Sequence, residues 1–313
     1  MNLQQLRYLH EIARHGLNVS EAAAALFTSQ PGVSKQVRQL EDELGITIFE
    51  RSGKRLTGIT KPGAQVLEIV ARMLDDARNL KRVSDEYADE SSGTLDIATT
   101  HTQARYTLPP VVKQFMARYP RVRLRLHQGN PHQVAEWVAK GAADIGIATE
   151  ALDALPQLIT MPCFQWSHMV IAPREHPLVA QASLSVGELV KWPLITYDPT
   201  FTGRTRIDRA LDRAGVTPNI VLTAVDSDVI KTYVELGLGI GIIAEMAFDP
   251  LRDTTLATLP AGHLFETNTT RLAVRRGVWL RQFDFDFIEL FAPQLSRTLV
   301  ETTLKGGSED PGL

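Results

Sequence analysis

The chain carries one cysteine, Cys163, in 313 residues. A lone thiol excludes an internal disulfide framework and fits a reducing compartment, so the expected location is the cytoplasm. Long apolar runs are also missing. None approaches the roughly 20 residues of a membrane-spanning helix, and no basic, apolar and small-residue leader of the secretory kind opens the sequence. No membrane association is expected. The eight histidines form no HxxxH pair and no Cys–His spacing, so no metal site is expected. Ser and His residues show no nucleophile elbow of the GxSxG type. The run Gly237-Leu238-Gly239-Ile240-Gly241 looks like a dinucleotide loop. It precedes or begins a strand instead of following one, so the phosphate-binding context fails. No catalytic residue and no cofactor are expected. Cys163, between Pro162 and Phe164, is read as packed near a crossing segment and not as reactive.

What is present is a globular composition, 44% hydrophobic and 22% charged, long enough for two or three domains. The net charge of −3 argues against nucleic acid only when taken globally. Residues 1–61 hold eight Lys and Arg against six Asp and Glu, a balance of +2, and the remainder holds 25 bases against 30 acids. A mildly basic head on an acidic body suits specific, modest-affinity DNA binding strengthened by dimerisation. It does not suit general coating of nucleic acid.

Inside the head, the run from Asn18 to Leu44 reads as two short helices joined by a tight turn. Asn18 with Glu21 is a capping-box-like start, and Ala22–Ala25 is strong helix former. Phe27, Thr28 and Ser29 make the turn. Ser29 can N-cap the second helix, and Pro31 falls in its first turn, where a missing N–H costs nothing. At 100° per residue Val33, Val37, Leu40 and Leu44 share one face. Pro31, Lys35 and Arg38 take the opposite face, with Ser34 and Gln30 towards one flank, and Gly45 ends the helix. A helix with separate apolar and basic faces is what the major groove admits. The candidate DNA contacts of this element are Thr28, Ser29, Gln30, Pro31, Ser34, Lys35 and Arg38.

Upstream, Leu3, Leu6, Leu9, Ile12 and Ala13 recur at helical spacing until Gly16. Downstream, Ile46–Glu50 and Leu56–Thr60 read as strands around Ser52-Gly53, a turn dipeptide. Three helices and a basic hairpin make a winged helix-turn-helix, in which Arg51, Lys54 and Arg55 can reach phosphates or the minor groove. The segment AAAALFTSQPGVSKQVRQLEDELGITIFERSGKRLTGIT (22–60) strongly resembles the N-terminal signature of LysR-type bacterial transcription regulators. The resemblance implies binding to double-stranded promoter DNA.

Lys61-Pro62-Gly63 is expected to break the wing from a long helix running from Ala64 to about Tyr87. Leu67, Val70, Leu74, Ala77, Leu80 or Lys81, and Ser84 follow a roughly heptad stripe, joined by Val66, Ile69, Met73 and Val83. About 24 residues make a rod of roughly 36 Å, read as a dimerising linker that spaces paired heads. Residues 85–93, polar and acidic, read as a hinge. From Thr94 the pattern alternates: LDIATT, VRLRLHQG, ADIGIAT, HMVIAP, PLITY, NIVLTAV, IGIIA and TTRLAVRR read as strands. Helices are expected at Leu108–Arg118, Pro131–Lys140, Arg204–Ala214 and Ser227–Leu236, which together give an open α/β sheet. The resemblance implies two such lobes, like a periplasmic solute-binding protein, with crossings near Met161–Phe164 and Phe265–Thr270. The expected fold class is therefore an α+β winged helix-turn-helix head (1–60), a linker and dimerisation helix with hinge (61–90), and an α/β two-lobed, periplasmic-binding-protein-like effector domain (91–313). Lobe I spans about 91–161 and 268–295, and lobe II about 163–265. Lys305–Leu313 reads as a disordered tail.

Two places in the body repeat one construction. Strand LDIA runs into Thr99-Thr100-His101-Thr102-Gln103 and then a helix. Strand PLIT runs into Tyr197-Asp198-Pro199-Thr200-Phe201-Thr202-Gly203 and a helix from Arg204. Each puts short hydroxyl side chains at a strand's carboxyl end, before a helix N-terminus, which makes a neutral anion trap. Thr149, at the end of ADIGIAT, belongs to the same edge. The strings TTHTQARY (99–106), ATEAL (148–152), TYDPTFTGR (196–204) and TAVDSDVIKTYVELGLGIGIIA (223–244) resemble the cysteine-biosynthesis, or sulfur-assimilation, branch of the LysR family over nearly the whole chain. That resemblance implies an effector pocket for small anions at Thr100, Thr102, Gln103, Thr149, Trp166 and Thr202. Trp166 could wall the cleft beside Thr149.

The function expected is a ligand-responsive transcription regulator of sulfur-assimilation and cysteine-biosynthesis genes, sensing acetylserine, sulfate, thiosulfate or a related anion. One alternative is a regulator of sulfonate and sulfate-starvation genes sensing adenylyl sulfate. Another is a small-molecule enzyme with an accessory helix-turn-helix, which would need a clustered acid, base or nucleophile. A pure solute-binding protein is opposed by the winged head. Further expected partners are a second copy of the chain, as dimer and then tetramer, and RNA polymerase.

Overall fold

The computed structural model describes residues 1–53, 55–89, 91–181 and 183–306, and the side chains of residues 85, 86, 88, 150 and 202 lie outside that description. Lys54 and most of the expected tail, residues 307–313, therefore also lie outside it. The chain divides into two compact units, Met1–Asp85 and Glu86–Leu313.

In the first unit, α1 (Leu3–Arg14) starts on a capping box made by Asn2 and Gln5. Helix α2 (Val19–Ala25) starts at Asn18, whose side chain accepts from the Ser20 and Glu21 N–H groups. Helix α3 (Gln30–Leu44) starts at Ser29, which accepts from Gly32 N, and ends at Gly45 with φ +66. Val33, Val37 and Leu40 pack with Leu6, Leu9, Ile12, Ala22 and Ala23 into one core. Leu44, expected on that face, is 39% exposed. The helix has run past the core by its last turn.

Strands β1 (Phe49–Ser52) and β2 (Arg55–Ile59) pair antiparallel, with Ser52 opposite Arg55. Residues 46–48, expected as strand, instead connect α3 to β1. Buried Glu41 holds them there: its carboxylate accepts from Ile48 N at 2.8 Å and Phe49 N at 3.1 Å, and its carbonyl from Ile46 N. Helix α4 (Lys61–Ala88) starts earlier than the Lys-Pro-Gly triplet suggests. Thr60 Oγ1 accepts from Gly63 N at 3.0 Å, so the triplet is a capped first turn, where proline is tolerated. Gly63 is required there, since a Cβ would lie 2.2 Å from the Ile48 carbonyl oxygen. Val70 and Leu74 of α4 are buried in this unit's own core. Among the described side chains of α4, the large apolar residues left exposed are Ile69, Met73, Leu80 and Tyr87.

The second unit runs, in chain order, β3 (Ser92–Thr99), α5 (Leu108–Arg118), β4 (Arg121–Gln128), α6 (Pro131–Ala139), β5 (Ile145–Ala148), β6 (Leu158–Trp166) and β7 (His168–Pro173). It continues with α7 (Val186–Leu189), β8 (Leu194–Tyr197), α8 (Thr202–Arg213), β9 (Ile220–Ala224), α9 (Ser227–Glu235), β10 (Ile240–Ala244) and β11 (Leu256–Pro260). It closes with β12 (Asn268–Arg275), α10 (Gln282–Phe291) and α11 (Arg297–Leu304). Two five-stranded sheets result, ordered β4-β3-β5-β12-β6 and β11-β7-β10-β8-β9, each with its own apolar core. Met161–Phe164, expected as a crossing, lies inside β6 and pairs with β12, Met161 opposite Leu272 and Phe164 opposite Thr270. The chain changes sheets at Ser167, and it returns through residues 261–267. Cys163 is buried in the first of these cores, and burial pushes its thiol up to about 12, so it stays protonated. Among the described residues no helix is long and apolar enough to cross a membrane.

Candidate functional sites

In the head, Pro31, Lys35 and Arg38 are exposed on the side of α3 opposite Val33 and Val37. With Gln30, Ser34, Gln39 and Asp42 they line one shallow groove. Gln30 donates to Ser34 Oγ at 3.0 Å, which ties two of the candidate contacts together. Thr28 is exposed in the turn before the helix, next to Phe27, which is 98% exposed at φ +50. Ser29 is occupied as the helix cap. Arg55 is exposed and shares a second concavity with Gln30. Arg51 differs from its neighbours, because its guanidinium donates to the Glu41 carboxylate at 2.6 Å. That ion pair fixes the wing to α3, a link that the residue pattern did not reveal. Lys54 lies outside the described residues.

In the second unit, β3 ends at Thr99 and a helical segment begins at His101, with one π-helical turn at Gln103–Thr107 leading into α5. Helix α8 begins at Thr202, two residues before the expected Arg204. Its N-cap, Phe201, makes no side-chain cap bond, and the Phe201 carbonyl accepts from Arg204 N at 3.0 Å. Thr200 is not available, since its hydroxyl is held by Asp198 at 2.7 Å. One cavity lies between these two helix starts. Thr100, Thr102, Gln103, Thr149 and Trp166 line it from the first sheet, and Tyr197, Phe201, Gly203 and Ala244 from the second. The Thr202 side chain is outside the described residues, although its neighbour Gly203 lines the cavity. No Lys or Arg lines it among the described residues.

The polar groups of the cavity are held in place. Gln103 is buried, donates to Thr270 Oγ1 at 2.9 Å and accepts from Thr107 Oγ1 at 2.7 Å. The Tyr197 hydroxyl accepts from Ala244 N at 2.8 Å and pairs with Ser227 Oγ at 2.7 Å. Burial pushes it up to about 12, so it remains an O–H. The segment bearing Thr100 and Gln103 also reaches α9: Arg105 and the Tyr106 hydroxyl bind Asp228 at 3.0 and 2.6 Å. Burial alone would raise the Asp228 carboxyl, but the Tyr106 hydrogen bond and the Lys231 charge hold it below the usual range. The cavity measures about 40 Å³. One water needs roughly 10–15 Å³ on that scale, so the space admits a ligand of only a few heavy atoms. Fixed neutral donors without a cation bind such an ion through hydrogen bonds alone.

Tyr197, Phe201 and Gly203 were within reach of sequence reading, since they sit in TYDPTFTGR beside Thr202. Ala244 ends the strand IGIIA, so its place at a strand's carboxyl end was legible too, whereas Thr270 lies in β12 and nothing local marks it.

Residues 3–64 match the bacterial regulatory helix-turn-helix protein, lysR family, and residues 88–296 match the LysR substrate binding domain. The chain is 53% identical to the HTH-type transcriptional regulator SsuR of Burkholderia cenocepacia over 97% of its length and 99% of that protein's. It is 50% identical to the HTH-type transcriptional regulator CysB of the same organism, over 99% of each chain. The cofactor-binding domain of the Cbl transcriptional regulator superposes with TM-score 0.66 and 47% identity, covering 68% of this chain and 94% of that one.

Proposed function

We infer what this chain senses from one premise: it belongs to the LysR family of bacterial transcription regulators. It is a DNA-binding regulator, not an enzyme, with a helix-turn-helix domain and a two-lobed effector-binding domain. Its proposed targets are promoters of sulfur-assimilation and cysteine-biosynthesis genes, and its proposed effector is a small anion: acetylserine, sulfate or a related compound. The carrying observation is the cation-free cavity lined by Thr100, Thr102, Gln103, Thr149 and Trp166 at the uncapped start of α8. Its small volume favours sulfate or thiosulfate over adenylyl sulfate, which would need the lobes to open. The effector acts by its differential affinity for the states of the protein on DNA.

Calorimetric titration of the full-length protein with sulfate, thiosulfate, N-acetylserine, O-acetylserine and adenylyl sulfate tests this reading. Thr100→Val should weaken the preferred anion about 10- to 150-fold, the value of one hydrogen bond to a charged group, roughly 1.5–3 kcal/mol. Unchanged affinity in that variant would remove the cavity from the proposal.

On the DNA side, Lys35 and Arg38 are proposed to enter the major groove, with Arg55 and Lys54 on the flanking backbone. Arg38→Ala should lose roughly 1–3 kcal/mol of operator binding and relax specificity at one base position. A gel-shift titration with unchanged affinity and salt slope would exclude Arg38 from the interface. We also place the protein in the cytoplasm, in contact with RNA polymerase at the promoter. The exposed residues Ile69, Met73 and Leu80 of α4 support a dimer made along that helix. A concentration-independent monomer in sedimentation would argue against it.

A further inference from the structure

Behind the cavity wall sits a group that the reading above does not use. His168, first residue of β7, is 1% exposed, and its Nε2 is buried with no hydrogen-bond partner. Three cavity residues surround the ring. Ala244 is its register partner across β7 and β10. The Trp166 ring lies 5.2 Å away, edge-on. Gly203 separates Nε2 from the cavity: a Cβ there would come within 3.2 Å of Nε2 and 3.5 Å of Trp166 Cη2. The missing side chain at Gly203 therefore lets the imidazole pack directly behind this part of the cavity lining. Trp166 Nε1, a donor only, is also buried and without a partner. Both nitrogens belong to rings packed at the cavity lining, and each is an exception to the rule that buried polar groups are paired.

The protonation of the ring follows from its other side. Asn268 Nδ2 lies 3.4 Å from His168 Nδ1. An amide N–H donating there makes Nδ1 the acceptor and leaves the proton on Nε2. Burial, with the Arg206 charge adding to it, pushes the ring's pKa down to about 3, so it presents an N–H without a positive charge.

We propose that His168 is a specificity-determining residue of the effector pocket, its Nε2–H reaching past Gly203 to donate, together with Trp166 Nε1–H, to oxygens of a bound oxyanion. This rests on the reading of the cavity as the effector site. A wall that only donates favours fully deprotonated tetrahedral anions such as sulfate and thiosulfate. It disfavours ligands that turn an O–H or N–H to that side, since two donors would then face each other.

The test is sulfate titration of full-length wild type and of His168→Leu, His168→Gln, Gly203→Ala and Thr100→Val, each checked for a native thermal transition. His168→Leu should weaken sulfate by roughly 10- to 100-fold. His168→Gln, which can place an N–H near the same point, should recover most of that loss. Gly203→Ala, at a position where alanine favours the helix, should weaken sulfate by pushing the imidazole and the Trp166 ring away from the start of α8, and it serves where His168→Leu does not fold. In histidine labelled with ¹⁵N, the proton should sit on Nε2 and its resonance should move when sulfate is added. A ring protonated on Nδ1, with Asn268 Oδ1 accepting from it, would overturn the donor role. So would sulfate affinity unchanged in His168→Leu while Thr100→Val loses it. Loss in neither variant would instead overturn the reading of the cavity itself, and this inference with it.

Discussion

Replacing Glu41 by alanine is expected to cost the helix-turn-helix unit roughly 2–5 kcal/mol, because two buried backbone N–H groups lose their acceptor at about 1–3 kcal/mol each. The side chain is buried at the end of α3's core face and serves three groups at once. It accepts from the backbone N–H of Ile48 and of Phe49, and it neutralises Arg51 at 2.6 Å. Ile48 and Phe49 are fully buried, so no water replaces the lost acceptor. Arg51 would be released as well, and the hairpin would lose its anchor to the helix it flanks. Glu41→Gln keeps one acceptor oxygen and should cost less, about 1–2 kcal/mol. Hydrogen exchange at the Ile48 and Phe49 amides measures the effect directly. Protection equal to wild type in Glu41→Ala would show that the carboxylate does not hold the wing. Operator affinity should fall together with that protection, although Glu41 touches no DNA in this scheme.

The second large effect concerns pH and His168. Its folded pKa is about 3 against 6.5 for an unperturbed ring, because burial excludes the charged form. Above pH 6.5 the ring is neutral in both the folded and the unfolded chain, and no stability is lost. Below 6.5 the unfolded chain takes up a proton that the folded one refuses. Stability then falls by about 1.4 kcal/mol per pH unit until the folded pKa is reached. Over two units this approaches roughly 3 kcal/mol. The aspartates held below their usual range, Asp96 and Asp228, lose their contribution only as the pH falls below their ordinary value of 3.8, so measurements between pH 5 and 7 lie outside their window. His10 and His176 are also shifted down by burial and act in the same direction, which is why the comparison must be with a variant. Urea unfolding at pH 7, 6 and 5 should show a slope in wild type that is shallower by about 1.4 kcal/mol per unit in His168→Gln. Parallel slopes would mean that the ring is charged or solvated in the folded protein.

The elements that sequence reading placed well are those whose caps and period agree. Helix α3 has Ser29 before it, Pro31 in its first turn and Gly45 after it, and its buried residues fall on the face that Val33, Val37 and Leu40 define. The strands of the second unit show apolar runs bounded by turn residues. Helix α10 shows the opposite case. Its sequence, QFDFDFIELF, alternates aromatic and acidic residues with period two, which gives no helical signal. It is a helix because it is buried on nearly all sides: Phe283 and Phe287 enter the core, while Asp284 finds Arg281 at 3.0 Å and Asp286 finds the Tyr119 hydroxyl. Tertiary partners satisfy residues that would otherwise call for an exposed face. The same holds for the Lys61-Pro62-Gly63 triplet. Its composition reads as a break, and the Thr60 cap with the close approach of the Ile48 carbonyl makes it a helix start.

The sequence by itself determined the class of this protein. A forty-residue helix-turn-helix signature, an alternating α/β body and hydroxyl-rich turns at strand ends are local features, set by propensity, capping and period, and they survive without knowledge of long-range contacts. The tertiary structure alone decided which polar groups are free and which are occupied. It tied Arg51 to Glu41, gave Thr200 to Asp198 and buried Val70 and Leu74 in the head. It also brought His168 behind Gly203, 35 positions along the chain, with its Nε2 unpaired. Occupancy of a donor depends on what lies within about 3 Å in space, and the chain neighbours that a sequence displays are seldom those atoms.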